Sequence, residues 1–103
     1  MAEGKQRSRK APAIPEEAMQ HLWHELEQLG DPALDIDKVA RFCYVTHAGS
    51  PLCRLGYRGD KEIWDFAIYK YSTQKYSTTE FLFPHHGTIV DLVRRALSAY
   101  NLD

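Results

Sequence analysis

The chain has 103 residues, of which 44% are hydrophobic and 12% aromatic, a composition that fits one globular domain and argues against intrinsic disorder. No stretch approaches the roughly 18 apolar residues of a membrane-spanning helix, and no apolar signal-peptide segment follows the N-terminus. We therefore expect a cytoplasmic protein with no membrane partner, although its formal net charge of −1 conceals a basic N-terminal segment.

That basic segment spans residues 1–13, which lack hydrophobic periodicity and predict a disordered arm ahead of a single domain over residues 14–103. A flexible cationic arm can add salt-sensitive affinity for nucleic-acid phosphates. It can equally be a solubilising tail. The cations concerned are Lys5, Arg7, Arg9 and Lys10.

The first element after the arm is a predicted helix. Pro15 suits the first helical position, and Glu16 and Glu17 favour the positive end of the helix dipole. Gly30 is the expected C-terminal stop. Apolar residues recur at helical spacing and predict one buried stripe: Met19, Leu22, Trp23, Leu26 and Leu29.

Residues 31–37 contain acidic and prolyl turn signals and predict a connector. The first strand is expected from Lys38 onward, because Ala40, Phe42 and Tyr44 alternate with more polar positions. A short helix over residues 36–43 is the alternative, since Val39, Ala40 and Cys43 also fit a helical face.

Three hairpins are predicted next, with tight turns at Ala48-Gly49, Gly59-Asp60 and Thr73-Gln74 and strands at 52–58, 62–71 and 76–83. These registers pair Tyr44 with Cys53 and Leu55 with Trp64. They predict a four-stranded antiparallel meander with one aromatic core face. That face comprises Phe42, Tyr44, Cys53, Leu55, Trp64, Phe66, Ile68, Phe81 and Phe83.

The last predicted element is a helix that begins near Thr88, which with Asp91 suggests a capping box, and that ends at Asn101. Its apolar stripe is Ile89, Leu92, Val93, Ala96, Leu97 and Tyr100. The element order is then α-β-β-β-β-α, which predicts a single two-layer α+β domain whose four-stranded antiparallel meander packs against helices.

The same registers define an outward sheet face, on which Arg54 is expected opposite Asp65 and Tyr71 opposite Tyr76. Two arrangements remain open: one helix on each face of the sheet, or both helices on the aromatic face. In the second arrangement the outward face is exposed, and a patch of that kind marks an interaction site. Its expected apolar and aromatic contacts are Leu52, Ile63, Tyr69, Tyr71 and Tyr76.

The charges of that face sum to zero, with Arg41 and Arg54 against Asp65 and Glu80. A surface that binds phosphates should carry a positive excess. We therefore expect a non-enzymatic interaction module for a protein partner, or for a second copy in a homodimer. The alternative is a nucleic-acid-binding protein that uses the basic arm and tyrosine stacking.

Two smaller groups of residues are weaker candidates for a site. His85 and His86, with Gly87 and Thr88, precede a helix N-terminus where an anion can bind, but no nucleophile can be assigned beside them. The histidines lack the ligand spacing of a metal site, so we expect no metal and no cofactor. Cys43 and Cys53 are predicted as free thiols on opposite sheet faces, with Cys43 the more accessible.

Overall fold

A computed structural model of the chain describes residues 13–80 and 83–102. The predicted class is confirmed: the chain forms a small α+β domain in which one helix precedes and one helix follows the strands of an antiparallel sheet. The sheet has six strands in the described residues, in the order β1-β2-β3-β4-β5, and β6 pairs with the first residues of β4. In chain order the elements are α1 (Glu16–Glu27), β1 (Leu34–Val39), β2 (Phe42–His47), β3 (Ser50–Tyr57), β4 (Trp64–Lys70), β5 (Lys75–Ser77), β6 (His86–Gly87) and α2 (Ile89–Ala99).

Strand β1 occupies most of the segment that was predicted as a connector, and it pairs with β2 over its whole length. The alternative helix over residues 36–43 is also wrong. Leu34 and Ile36 face the core while Asp35 and Asp37 face away, so the strand alternation was present in the sequence. Aspartate is common in turns, but here both aspartates lie on the side of an edge strand that faces away from the core. Charges at that position also discourage pairing of the strand with another chain.

The Ala48-Gly49 turn between β2 and β3 is confirmed, with φ of +52° and +86° at its two residues. The register changes immediately after it. Val45 pairs with Cys53, so Leu52 is an extra residue in β3 and forms a β-bulge.

This single extra residue reverses the faces of β2. Cys43 and Val45 are fully buried in the core, whereas Phe42 and Tyr44 lie on the opposite side of the sheet and are half-buried. The expectation that Phe42 and Tyr44 belong to the core was wrong, as was the greater accessibility of Cys43. Leu52 was expected on the outward face, but it is also buried.

The other two hairpins differ from prediction in a less consequential way. Their connections are longer than two residues, running over 58–63 and 71–74, and each moves the register by two. Leu55 therefore pairs with Phe66 instead of Trp64. A shift by an even number leaves the paired side chains on their predicted faces. The last strand of the meander, however, ends at Ser77 instead of at residue 83, and Phe81 lies outside the described residues.

Both helices pack on the same face of the sheet. Their buried side chains form one cluster with the inward residues of the strands, so the arrangement with one helix on each face is excluded. The helical members are Ala18, Leu22, Leu26, Ile89, Leu92, Val93, Ala96 and Leu97, and the central sheet members are Cys43, Val45, Cys53, Leu55, Trp64, Phe66 and Ile68. In the described residues, neither helix has the length and hydrophobicity needed to cross a membrane.

The helix ends agree with prediction in part. Pro15 immediately precedes α1, and Gly30 follows it with a φ of +70°, a conformation that favours glycine. Thr88 is the N-cap residue of α2, but its side chain makes no capping hydrogen bond. The predicted capping box is wrong because the Asp91 carboxylate instead accepts a hydrogen bond from Arg95 Nε at 3.1 Å.

Candidate functional site

The sheet surface opposite the helices is uncovered in the described part of the chain, and we call it the open face. The strand registers assign its residues, because paired residues on neighbouring strands share a side. It comprises Asp35, Asp37 and Val39 of β1, Phe42 and Tyr44 of β2, Arg54 and Gly56 of β3, Asp65, Ala67 and Tyr69 of β4, and Tyr76 of β5, with Arg41 at the β1–β2 turn.

At the centre of the open face a guanidinium lies between two aromatic rings. Arg54 Cζ is 4.3 Å from the centroid of the Phe42 ring and 5.5 Å from that of Tyr76. Arg41 Cζ is 4.5 Å from the same Phe42 ring. Cation–π contacts of this length stabilise a partly desolvated guanidinium and restrict its position. The reversal of β2 creates this arrangement, since it brings Phe42 to this side of the sheet.

The arginines of this surface differ in their counter-charges. Arg41 Nη1 donates to the carboxylate of Asp65 at 3.2 Å and to the backbone oxygen of Tyr57 at 3.0 Å. Arg58 reaches the other Asp65 oxygen at 3.3 Å. Arg54 was expected to pair with Asp65, but its cross-strand neighbour is Ala67. Within the described residues, no carboxylate lies within 4.0 Å of Arg54.

A depression of about 290 Å³ lies beside these groups. Gly56 and Ala67, both buried, line it together with two arginines, an aspartate, two threonines and a histidine. A Cβ atom at Gly56 would lie 3.0 Å from Arg41 Nη1 and 3.3 Å from Phe42 Cε1, so glycine permits their close approach. The remaining lining residues are Arg54, Asp65, Phe66, Thr78, Thr79 and His85.

The predicted tyrosines form a continuous series of edge-to-face contacts. Tyr76 lies opposite Tyr69 in the register, instead of opposite Tyr71, with ring centroids 5.0 Å apart. Tyr44 joins at 5.3 Å from Tyr76, and Tyr71 at 4.8 Å from Tyr69. Burial, followed by the neighbouring Tyr44, raises the pKa of Tyr76. The rings therefore support one another and give the open face a stable aromatic surface.

Tyr71 lies at the end of this series, in the turn after β4, and 47% of its surface is exposed. Its hydroxyl donates to the backbone oxygen of Pro51. Of the two aliphatic residues that were expected on this face, Leu52 lies in the core and Ile63 is half-buried in the loop before β4. Neither contributes to the open face.

The four residues around the second helix start do not converge on one site. His85 lines the depression, and its backbone oxygen accepts a hydrogen bond from Phe66 N at 2.9 Å. His86 and Gly87 pair with β4 as strand β6, and Thr88 begins α2. His86 lies on the side of the open face because it pairs with Asp65, and His85 lines the depression.

The charge of the open face is balanced, although not by the residues expected. Asp35, Asp37 and Asp65 oppose Arg41 and Arg54 together with Arg58, which reaches Asp65 from the following loop. The two β1 aspartates lie at the edge, whereas the arginines lie near the centre. The centre is therefore locally cationic on a surface that has no net charge.

The basic arm with Lys5, Arg7, Arg9 and Lys10 lies outside the described residues. Elsewhere in the chain, over 13–80 and 83–102, no group of three histidine, cysteine or acidic residues could hold a metal ion. His21 of α1 is half-buried, and its Nε2 lies 3.5 Å from Glu62 Oε1.

Sequence reasoning missed Phe42, Tyr44 and Gly56 as open-face residues. One signal in the sequence could have found the first two. Proline cannot donate to a strand ladder, so Pro51 in β3 is an indicator of an edge or a bulge, and the bulge is the feature that turns β2 over.

No protein-family model matches the chain, and neither a curated protein nor a solved structure does so.

Proposed function

We propose that the protein is a non-enzymatic interaction module that binds a protein partner through its open face. The observation that carries this proposal is Arg54, whose guanidinium lies over the rings of Phe42 and Tyr76 on a sheet surface that no described element covers. Arginine and tyrosine are among the residues that contribute most to protein–protein binding energy. Stacking also lowers the conformational entropy that the side chain would lose on binding.

The composition of the open face supports a protein partner further. Its centre is aromatic and partly buried, and its outer strand carries the exposed carboxylates of Asp35 and Asp37. Aromatic residues and arginine are enriched in specific protein interfaces, whose rims are polar. The partner can be a different protein or a second copy of this chain.

Single-stranded nucleic acid is the second candidate, because aromatic rings and guanidinium groups on a sheet are also used to stack bases. The three carboxylates of the open face count against it, since they would repel a phosphate backbone. Residues 1–12, with their four cations, would have to supply the missing positive charge.

Affinity capture with the purified full chain can separate these possibilities. Cell lysate is passed over the immobilised protein with and without nuclease, at about 0.15 M and about 0.5 M salt, because salt weakens phosphate contacts selectively. Three forms are compared: the natural chain, Tyr76→Ala, and Trp23→Ala. Trp23 is a matched control, being an aromatic residue on the helical side of the domain with 40% of its surface exposed.

We expect the natural chain and Trp23→Ala to retain the same partner proteins after nuclease treatment and at high salt. Tyr76→Ala should fail to retain them. If the partner is a second copy of this chain, the molecular mass of the natural chain in solution should be that of an oligomer, and Tyr76→Ala should return it to that of the monomer. Retention of the same proteins by all three forms would contradict the proposal. Binding that requires nucleic acid would transfer the assignment to the second candidate.

A further inference from the structure

We infer that the depression beside Arg54 is the anchor point of the open face and that it receives a carboxylate from an aspartate or glutamate side chain of the partner. This inference rests on the proposed function and adds to it the chemistry that the partner must present. It makes Arg54 the residue that selects the partner.

The first argument is the state of Arg54. A guanidinium that stacks on aromatic rings keeps its N–H donors at its edge, because all of them lie in its plane. Phe42 and Tyr76 hold the group at 4.3 and 5.5 Å, and Arg54 is half-buried. A partly desolvated cation with an open donor edge gains more from a carboxylate than a fully hydrated cation does.

The second argument is that the nearest acid is already in use. Asp65 accepts contacts from Arg41 at 3.2 Å and from Arg58 at 3.3 Å, one to each carboxylate oxygen. Each of these arginines therefore has an internal counter-charge. Arg54 has no carboxylate within 4.0 Å among the described residues, so a partner's carboxylate would not have to displace one of theirs.

The third argument concerns the size and lining of the depression. Its volume of about 290 Å³ lies at the lower limit of small-ligand sites, which suits one side chain better than an extended ligand. Thr78, Thr79 and His85 also line it, and these are residue types that carry hydrogen-bonding groups. A carboxylate has several acceptor sites and can use more than one donor.

A single carboxylate also fits better than a phosphate chain. Asp65 lies within the depression, and Asp35 and Asp37 lie on the outer strand of the same face. A polyphosphate that crossed the open face would meet these like charges, whereas one acidic side chain can enter beside Arg54 alone. Flanking apolar residues of the partner would then contact the tyrosine series.

Panning of a random peptide library against the full chain tests this inference and does not require the partner to be identified first. The library is selected in parallel on the natural chain, Arg54→Gln and Arg94→Gln. Arg94 is the matched control, because it is an exposed arginine on α2 and its loss changes the net charge equally. Tyr76→Ala serves as a fourth target that reports on the open face as a whole.

We expect the natural chain and Arg94→Gln to select peptides with one acidic residue at a fixed position between apolar residues. Arg54→Gln should lose that acidic preference. For the best peptide, replacing its acid by the corresponding amide should weaken binding at least about 10-fold on the natural chain and by less than about 2-fold on Arg54→Gln, as for other charge-assisted contacts.

Peptides that depend on Tyr76 but show no acidic preference would overturn the carboxylate anchor and leave the proposed function intact. Peptides that bind all four forms equally, or the absence of any selected peptide, would overturn both. A single-stranded oligonucleotide that displaces the selected peptide and binds more tightly than it does would also overturn the inference, because a phosphate would then be the better ligand for Arg54.

Discussion

The reactivity of Cys43 provides a direct test of the reversed β2 strand on which the open face depends. If β2 had the faces expected from the turn alone, Cys43 would lie on the outward surface. Instead its side chain is fully buried in the core. Burial, with a smaller contribution from Asp37, raises the pKa of the Cys43 thiol from 9.0 to about 12.

The size of the expected effect follows from the thiolate fraction, because the thiolate is the nucleophile. At about pH 8 an ordinary cysteine is roughly one-tenth ionised, whereas Cys43 with a pKa of about 12 is ionised to roughly one part in ten thousand. The thiolate fraction of Cys43 is therefore lowered about 1000-fold relative to an ordinary cysteine, and burial adds steric protection. Burial also raises the pKa of Cys53.

The assay is absorbance on addition of a chromogenic disulfide reagent at about pH 8, to the folded protein and in denaturant. We expect both thiols to react at once in denaturant and neither to react at an ordinary rate when folded. The variants Cys43→Ser and Cys53→Ser show which of the two cysteines gives each phase of the absorbance change. Rapid reaction of Cys43 in the folded protein would refute the reversed strand, and with it the position of Phe42 on the open face.

The same pKa change predicts how stability depends on pH. The folded state holds the Cys43 proton up to about pH 12, whereas the unfolded chain releases it near 9.0. The stabilisation is therefore complete below about pH 9 and is lost as the pH rises toward 12, by up to about 1.4 kcal/mol per pH unit. Denaturant unfolding at several alkaline pH values measures it, and Cys43→Ser should show a smaller decline.

Four substitutions test other parts of the fold by denaturant unfolding. Val45→Ala should lower the free energy of unfolding by about 2 kcal/mol because Val45 is fully buried, whereas Val39→Ala, at a residue with 53% of its surface exposed, should change it by less than about 0.5 kcal/mol. Equal effects would contradict the assigned faces. Gly56→Ala should cost about 1–3 kcal/mol and weaken binding at the depression, because the new Cβ would lie 3.2 Å from Asp65 Cβ and 3.3 Å from Phe42 Cε1 and would displace the Arg41 guanidinium. An unchanged stability would show that the site is looser than described. Ala40→Gly should stabilise the protein by up to about 1 kcal/mol, since Ala40 has a φ of +56° in an exposed turn, and a destabilisation would contradict that geometry.

The sequence by itself determined the elements whose signals are local. Helical periodicity identified every residue that α2 buries, together with Leu22 and Leu26 of α1. It missed the buried Ala18 and included Trp23, which is substantially exposed. The Ala48-Gly49 pair specified its turn, because a two-residue hairpin requires positive φ. The inward faces of β3 and β4 were also predictable. The observed pairing of these strands differs from the predicted one by two residues, and a shift of two leaves the paired side chains on the same side of the sheet.

Only the tertiary structure decided which side of the sheet Phe42 and Tyr44 occupy. One extra residue, Leu52, turns β2 over, and both Leu52 and the neighbouring Cys53 are then buried. Whether a strand accepts such a bulge depends on how its side chains pack against the helices, which no local pattern records. The site around Arg54 follows from that packing, because a guanidinium can stack only on rings that the fold has brought to its side of the sheet.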